Sequence, residues 1–260
     1  MELDKLMKTA IVPLYARAEE GRKPDALFND QHAVNLLSKI RLHGLITDVS
    51  RVVQNSIAVR TRIIDDAISE YLKRCPDPVI INLGAGFDFR YFRLDNGLIR
   101  WFDIDLAPVI ELKKSEIQET ERFRMIGKSV FDYTWLDDID VDGRPALLIA
   151  EGLLMYLREN QLLSLLNQLV RKFPRGNMLI ELLAPGAIGK YFCSTQSTRF
   201  NWTLLKARDI EVLNPKLRYR QEWCVLDFYK ERWGWMAGPG GLNIMRNYFG
   251  EKIVAVDILQ

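Results

Sequence analysis

Two hydrophobic patterns divide this chain near residue 75. On the amino-terminal side, apolar side chains recur at helical spacing, first at Val34 and Leu37 and then from Ile57 to Ile68. On the other side, short apolar runs alternate with helical segments, the runs being 79–83, 99–104, 146–150 and 178–183. Runs that are apolar throughout are typical of parallel strands covered by helices on both faces.

The segment 159–173 predicts an amphipathic helix, because its apolar residues form one stripe and Pro174 and Gly176 follow it. Strands that alternate with such helices predict a doubly wound α/β fold with a mostly parallel sheet. The segment from Pro185 to about Tyr219 is polar with a helical pattern, and it interrupts that alternation. Residues 252–259 alternate apolar and polar side chains, which suits an edge or antiparallel strand.

These boundaries predict a single domain over residues 1–260, a length that suits one α/β domain with an insertion. We expect a helical lead-in that can act as a lid over residues 1–75 and a binding core over 76–184. A cap insertion over 185–225 and a carboxyl-terminal helix and strands over 226–260 complete the predicted organisation.

Composition narrows the classes of partner. The 36 basic and 34 acidic side chains are mixed along the chain. The sequence therefore has no basic stripe of the kind that would predict a nucleic-acid partner. The three cysteines lie far apart, which indicates neither a disulfide framework nor a zinc site, and we predict no metal. No run approaches the roughly 18 apolar residues of a membrane span, and the first residues do not resemble a secretory signal. We therefore expect a cytoplasmic protein without a membrane partner.

A glycine turn follows the first apolar run, at Gly84-Ala85-Gly86. Glycine there allows a sharp bend and the close approach of a ligand, although a turn without a ligand has the same pattern. The next run ends about 20 residues on, at Asp105, where a carboxylate can accept hydrogen bonds from ribose hydroxyls. Asp105 also suits a helix N-cap, and the two roles are compatible.

Phe89 stands where a dinucleotide fingerprint would require its third glycine, which disfavours a pyrophosphate site. S-adenosylmethionine has no phosphates and needs only the turn and the ribose carboxylate. Asp132 suits a contact with an adenine amino group, with Tyr133 beside the ring, or a solvated turn. Glu151 directly follows a buried strand, and a carboxylate there needs a cofactor contact or a structural arginine.

The chain resembles the leucine carboxyl methyltransferase family, and more closely its bacterial branch of polyketide-synthesis O-methyltransferases. The matching stretches are YARAEE from Tyr15, DALFNDQHA from Asp25, AVRTR from Ala58, NLGAGFDFRYFRL from Asn82, WFDIDLAPVI from Trp101 and AEGLLMYL from Ala150. The resemblance runs in one order from about Tyr15 to Leu183. It implies a class I methyltransferase with a seven-stranded sheet and S-adenosylmethionine as cofactor.

The resemblance also implies roles for individual residues. Arg60 corresponds to an arginine that binds the methionyl carboxylate in a bidentate manner. Further cofactor contacts are implied for Gly84, Gly86, Asp105, Asp132 and Glu151, and their neighbours Ala85 and Tyr133 complete the predicted cofactor-binding set. Arg90 stands between fold support and cofactor contact, and Arg17 is assigned to the lid. Phe89 replaces a threonine that is common in the branch, and the chain beyond Pro185 matches poorly, so the substrate pocket does not transfer.

The predicted function is O-methylation of a carboxylate or hydroxyl on a small molecule of polyketide or peptide type. A carboxylate acceptor needs no general base, whereas an aliphatic alcohol does. His32 and His43 are away from the strand motifs, so no catalytic residue is assigned, and Tyr156 and Tyr191 are candidates for the acceptor pocket. A nicotinamide-dependent oxidoreductase and a non-catalytic adenosyl-binding protein remain as alternatives. The sequence leaves the oligomeric state open.

Overall fold

A computed structural model describes residues 3–40, 49–184, 203–204, 206–237 and 250–260. Seven strands form one sheet: β1 Val79–Leu83, β2 Arg100–Asp105, β3 Phe123–Gly127, β4 Ala146–Ala150, β5 Asn177–Leu183, β6 Leu217–Cys224 and β7 Glu251–Ile258. Their order across the sheet is β3-β2-β1-β4-β5-β7-β6. β1 to β5 are parallel to one another, and β7 is antiparallel to both β5 and β6.

The α-helices of the described residues are α1 Leu3–Gly21, α2 Gln31–Lys39, α3 Arg51–Arg74, α4 Arg90–Leu94, α5 Ala107–Lys114, α6 Glu159–Lys172 and α7 Ile210–Leu213. Side-chain caps begin two of the leading helices, because Asp30 accepts from the amide of Ala33 and Ser50 accepts from the amide of Val53. Among the described residues, no helix is long and apolar enough to cross a membrane.

The predicted doubly wound α/β fold is confirmed. β1 and β4 have the bounds that the apolar runs predict, and α6 buries the predicted stripe of leucines with Val170. The carboxyl-terminal strand is antiparallel, as its alternating pattern indicates, but it lies inside the sheet between β5 and β6. β7 is therefore largely buried along its length.

One boundary of the expected cap differs in the structure. β6 lies within the range 185–225 that the sequence assigns to the cap, yet it forms the outer strand of the sheet. Its polar composition conceals it, because an edge strand exposes most of its side chains to solvent. Residues 185–202 of the expected cap lie outside the described residues. The described part of range 226–260 contains short 3₁₀ turns and the single strand β7.

Two apolar clusters pack on opposite faces of the sheet. Val79, Ile81 and Leu83 of β1 join the cluster formed with α6, whereas Ile80 joins the cluster formed with the leading helices. This alternation follows the two-residue period of a strand, although every residue of β1 is buried. Trp233 is buried in the second cluster, and Trp223, Phe228 and Tyr229 pack against it.

Buried ion pairs connect the leading helices to the sheet. Arg90, fully buried after β1, bonds Asp65 of α3 at 2.7 Å and Glu151 after β4 at 2.7 Å. Arg93 bonds the same Asp65 at 2.8 Å and Asp30, the cap of α2, at 2.8 Å. These contacts orient α2 and α3 against the carboxyl ends of the strands.

Arg90 accordingly supports the fold, and its removal is expected to be costly. Arg90→Ala leaves buried carboxylates without their cation, so we expect the free energy of unfolding to fall by about 3–5 kcal/mol. Urea unfolding measures this change. Arg220→Ala is the control, because that side chain is 60% exposed in its pair with Asp257 and its loss should cost less than about 1 kcal/mol. Equal effects of the two substitutions would contradict a structural role for Arg90.

Candidate functional site

A pocket of about 620 Å³ opens at the carboxyl ends of the parallel strands. Its lining includes the turn after β1, Asp105 at the end of β2, residues 128–131 after β3 and residues 151–153 after β4. The leading helices contribute Arg17 from α1 and Arg60 from α3. Ligands of open α/β sheets bind at this edge, so the pocket is the candidate site.

The glycine turn forms the floor of the pocket beside Leu153. Gly84 has a φ of +63°, and a Cβ there would lie 3.0 Å from Cδ1 of Leu153. Gly86 has a φ of +51°, which is also strained for other residues. The amides of Gly84 and Ala85 both donate to the carbonyl of Ile104 on β2. The turn is therefore held against β2, and glycine keeps its inner face free of side chains.

Asp105 closes the turn from the end of β2. Its two carboxylate oxygens accept from the amide of Gly86 at 2.6 Å and from the amide of Leu106 at 2.7 Å. Burial raises the pKa of this carboxyl, and the two amide bonds oppose that shift. Asp105 lines the pocket, which is compatible with the ribose contact expected from the sequence. It is not the N-cap of α5, because Leu106 occupies that position and no side chain caps the helix.

Glu151 lies among three arginines. Its Oε1 accepts from Nε of Arg60 at 2.9 Å and lies 3.8 Å from Nη1 of Arg17, while its Oε2 accepts from Nη2 of Arg90 at 2.7 Å. Burial raises its pKa, but the arginines outweigh burial and hold the pKa below its ordinary value. Glu151 therefore has the structural arginine partners of the alternative hypothesis, and it lines the pocket as well.

Arg60 is also engaged by protein carboxylates. Its Nε bonds Glu151, and its Nη1 donates to Glu181 at 2.9 Å and to Glu251 at 3.4 Å. Its Nη2 makes no hydrogen bond within the described residues, and Arg60 lines the pocket. This arrangement differs from the expected bidentate binding of a ligand carboxylate, since Nη1 is already bonded and only Nη2 is left for a ligand.

Arg17 is a second arginine of the pocket, and the sequence assigns it only to the lid. It is 3% exposed, and its Nε has no hydrogen-bond partner within the part of the chain that the structure describes. The 3.8 Å to Glu151 is too long for a hydrogen bond. A buried guanidinium with an unsatisfied nitrogen is expected to meet a polar partner, which an anionic group in the pocket would provide.

The remaining predicted residues are distributed unevenly. Asp132 is exposed and accepts from Thr134, and the hydroxyl of Tyr133 bonds Ser164, so the structure brings neither into the lining. Lys128, Ser129, Val130 and Phe131 from the same loop line the pocket instead. Arg90 lies outside the lining, and Tyr156 belongs to it. Tyr191 lies outside the described residues.

Neither histidine is a described part of the pocket. His32 packs against Phe92 and lies 3.3 Å from Glu116, and it is not in the lining. His43 lies outside the described residues.

The sequence-based predictions overlook Glu181 and Glu251, which bond Arg60 without lining the pocket themselves. A carboxylate within the apolar run of β5 was the available signal for Glu181.

The family model described as Leucine carboxyl methyltransferase matches residues 10–170 of the chain. Tetracenomycin polyketide synthesis O-methyltransferase TcmP of Streptomyces glaucescens is 32% identical over 232 residues, covering 87% of this chain and 86% of that protein. The S-adenosyl-L-methionine-dependent methyltransferase dpfgK of Gibberella zeae is 31% identical over 259 residues, with coverage of 89% and 87%.

A solved structure supports the fold. Magnesium protoporphyrin IX methyltransferase (ChlM) from Synechocystis PCC 6803, crystallised with bound SAH, superimposes with a TM-score of 0.52. The superposition covers 86% of this chain and 94% of that one, at 8% sequence identity. At this identity the similarity shows the fold alone.

The pH dependence of stability tests the buried position of Glu181. Burial raises its pKa from 4.5 to about 8, with Arg60 opposing this shift. The folded state thus binds a proton that the unfolded state has lost, so this contribution to stability is present at low pH and disappears as the pH rises to about 8. In Glu181→Gln, we expect the free energy of unfolding relative to the parent protein to increase with pH over this window. Urea unfolding at several pH values would show it, and a constant difference would contradict it.

Proposed function

Because the chain belongs to the leucine carboxyl methyltransferase family, we propose that it transfers the methyl group of S-adenosylmethionine to an oxygen of a small molecule. The observation that carries this proposal is the meeting of Asp105, Arg17 and Arg60 around one pocket at the glycine turn. That set offers a carboxylate for ribose hydroxyls and guanidinium groups for the methionyl carboxylate.

The residues present fit this cofactor. Gly84 and Gly86 leave a face that a Cβ would obstruct or strain, which suits the close approach of the methionyl part. Asp105 uses one lone pair of each oxygen on the backbone and retains acceptor capacity for hydroxyls. Arg17 supplies the buried nitrogen that lacks a partner among the described residues. We assign the methionyl carboxylate to Arg17 together with Nη2 of Arg60.

The adenine contact is assigned by position in the lining. Ser129 and Phe131 follow β3 and line the pocket, whereas Asp132 and Tyr133 do not. Phe131 is partly buried against the core and offers an aromatic ring to the pocket. We therefore expect this loop to hold the base through Phe131 and Ser129. A role of Asp132 and Tyr133 in adenine binding stays a prediction.

The cofactor supplies an electrophilic methyl group on a sulfonium sulfur, and the chain must hold an acceptor oxygen in line with it. Most of the rate enhancement can then come from orientation in a pocket that excludes water. Tyr156 and Gln161 line the pocket and can orient the acceptor through hydrogen bonds. No histidine among the described residues lines it, which favours an acceptor that needs no strong base. A carboxylate or an acidic phenol meets this condition.

The acceptor class follows the relatives. TcmP is named for O-methylation in the synthesis of a polyketide, and it matches most of this chain. We propose a small polyketide-type or peptide-type acceptor, with its acidic oxygen in the pocket.

The nicotinamide alternative gains no support from these relatives, and Phe89 remains unfavourable for it. A cytoplasmic location, and a lack of nucleic-acid partners, stay predictions.

Binding of S-adenosylhomocysteine tests the proposed cofactor site. We expect the product to stabilise the protein against heat. We expect Arg60→Lys and Asp105→Asn each to weaken its affinity at least about tenfold, because the first replaces the planar guanidinium by a single ammonium and the second removes a negative charge. Isothermal titration measures the dissociation constant. Asp257→Asn is the matched control, since this carboxylate of β7 bonds Asn177 and Arg220 away from the pocket. Folded variants that bind as tightly as the parent would contradict this site.

Methyl transfer separates an enzyme from a non-catalytic adenosyl-binding protein. With labelled S-adenosylmethionine and a panel of aromatic carboxylates, phenols and aliphatic alcohols, we expect label in base-stable ether or base-labile ester products of the acidic acceptors. The base stability of the product distinguishes a hydroxyl from a carboxyl acceptor. Tight binding without transfer to any class in the panel would favour the non-catalytic alternative.

A further inference from the structure

Two carboxylates below the pocket hold the same nitrogen of Arg60. Nη1 donates to Oε1 of Glu181 on β5 at 2.9 Å and to Oε1 of Glu251 on β7 at 3.4 Å. Both glutamates are almost fully buried, at 1% and 4% exposure, and neither belongs to the pocket lining. They therefore act on the pocket only through the groups that they contact.

The sheet brings these glutamates together. β5 and β7 are antiparallel neighbours, and Glu181 pairs with Ile253 while Glu251 pairs with Leu183. The two glutamates are therefore diagonal neighbours on one face of the sheet. Each has a second fixed partner: the amide of Gly152 donates to Glu181 at 2.6 Å, and the hydroxyl of Ser56 donates to Glu251. Their positions are thus set by four separate elements of the fold.

The charges around this pair do not balance when every group is ionised. Glu151 engages Nε of the same guanidinium, so three carboxylates surround Arg60. Glu151 has Arg90 and the more distant Arg17 as further cations, whereas Glu181 and Glu251 form ion pairs only with Arg60 in the part of the chain that the structure describes. Two buried carboxylates that share one cation favour the retention of a proton. Burial accordingly raises the pKa of both.

We propose that Glu181 and Glu251 are positioning residues that together retain one proton and hold Nη1 of Arg60 as a clamp, so that its Nη2 is presented to the methionyl carboxylate. This inference rests on the proposed function. A long arginine side chain loses much conformational freedom when it binds a ligand, and a side chain already held at Nε and Nη1 has less to lose. Glu181 also fixes the amide of Gly152, which lines the pocket next to Glu151.

The clamp predicts a specific pattern of affinity for S-adenosylhomocysteine. We expect Glu251→Ala to raise the dissociation constant about tenfold, because Nη1 then keeps only its bond to Glu181, with partial rescue in Glu251→Gln, whose amide oxygen can still accept from Nη1. In an Arg60→Lys background, Glu251→Ala should have little further effect, since the two residues act through one contact. The KM for S-adenosylmethionine should rise by a larger factor than kcat falls. Asp257→Asn, on the same strand, is the control.

The shared proton is tested by the pH dependence of the same dissociation constant. Loss of the proton adds a negative charge beside Arg60, so the affinity of the parent for S-adenosylhomocysteine should fall as the pH rises from about 7 to about 9. Glu181→Gln mimics the protonated acid and should show a smaller fall. Because this variant keeps the shape of the side chain, it remains informative if Glu251→Ala does not fold.

The outcomes distinguish the clamp from the proposed function. If the parent does not bind S-adenosylhomocysteine, the proposed function fails. If the parent binds and Arg60→Lys weakens binding, but folded Glu251 variants bind within about twofold of the parent, the clamp alone is overturned. Parallel pH profiles for the parent and Glu181→Gln would likewise overturn the shared proton. Independent, additive effects of Glu251→Ala and Arg60→Lys would show that the glutamate does not act through Arg60.

Discussion

A buried chain of ion pairs determines how the leading helices sit on this sheet. It runs from Asp30 through Arg93, Asp65 and Arg90 to Glu151, and then through Arg60 to the carboxylates of β5 and β7. Buried charges are costly when a partner is missing, so each link constrains the next. The helices cannot shift along the sheet without leaving a charge unpaired. Because Arg17 and Arg60 of these helices line the pocket, the same ion pairs fix the positions of its lining residues.

The same network explains why one residue has both a structural and a functional position. Glu151 bonds two arginines and also lines the pocket, and Asp105 supports the turn while it offers acceptor capacity to a ligand. Such groups are held before any ligand arrives, which reduces the entropic cost of binding. An arginine partner for Glu151 is therefore no argument against a cofactor contact nearby.

The two pocket arginines differ in how they are held. Arg60 is bonded at Nε and Nη1, whereas Arg17 is buried with an Nε that lacks a partner among the described residues. A held guanidinium presents a fixed direction, and an unsatisfied one provides a driving force for a ligand that can satisfy it. Together the two arginines suit an anionic group of a ligand in the part of the pocket that the leading helices line.

The sequence by itself determined the alternation of buried strands and helices, the glycine turn and Asp105, because these depend on local periodicity and on backbone conformations that few residues adopt. It also indicated that Glu151 at a strand end needed a partner. Only the tertiary structure decided which partner, since Arg60, Glu181 and Glu251 come from segments far apart in the chain. Tertiary structure also decided β6, because this exposed polar segment forms a strand through its pairing with β7. It likewise decided that Phe131, and not Asp132, lines the pocket, because the direction of the loop determines which neighbour faces it. Spacing along a chain specifies local geometry, whereas the sharing of buried charge depends on the distances between elements.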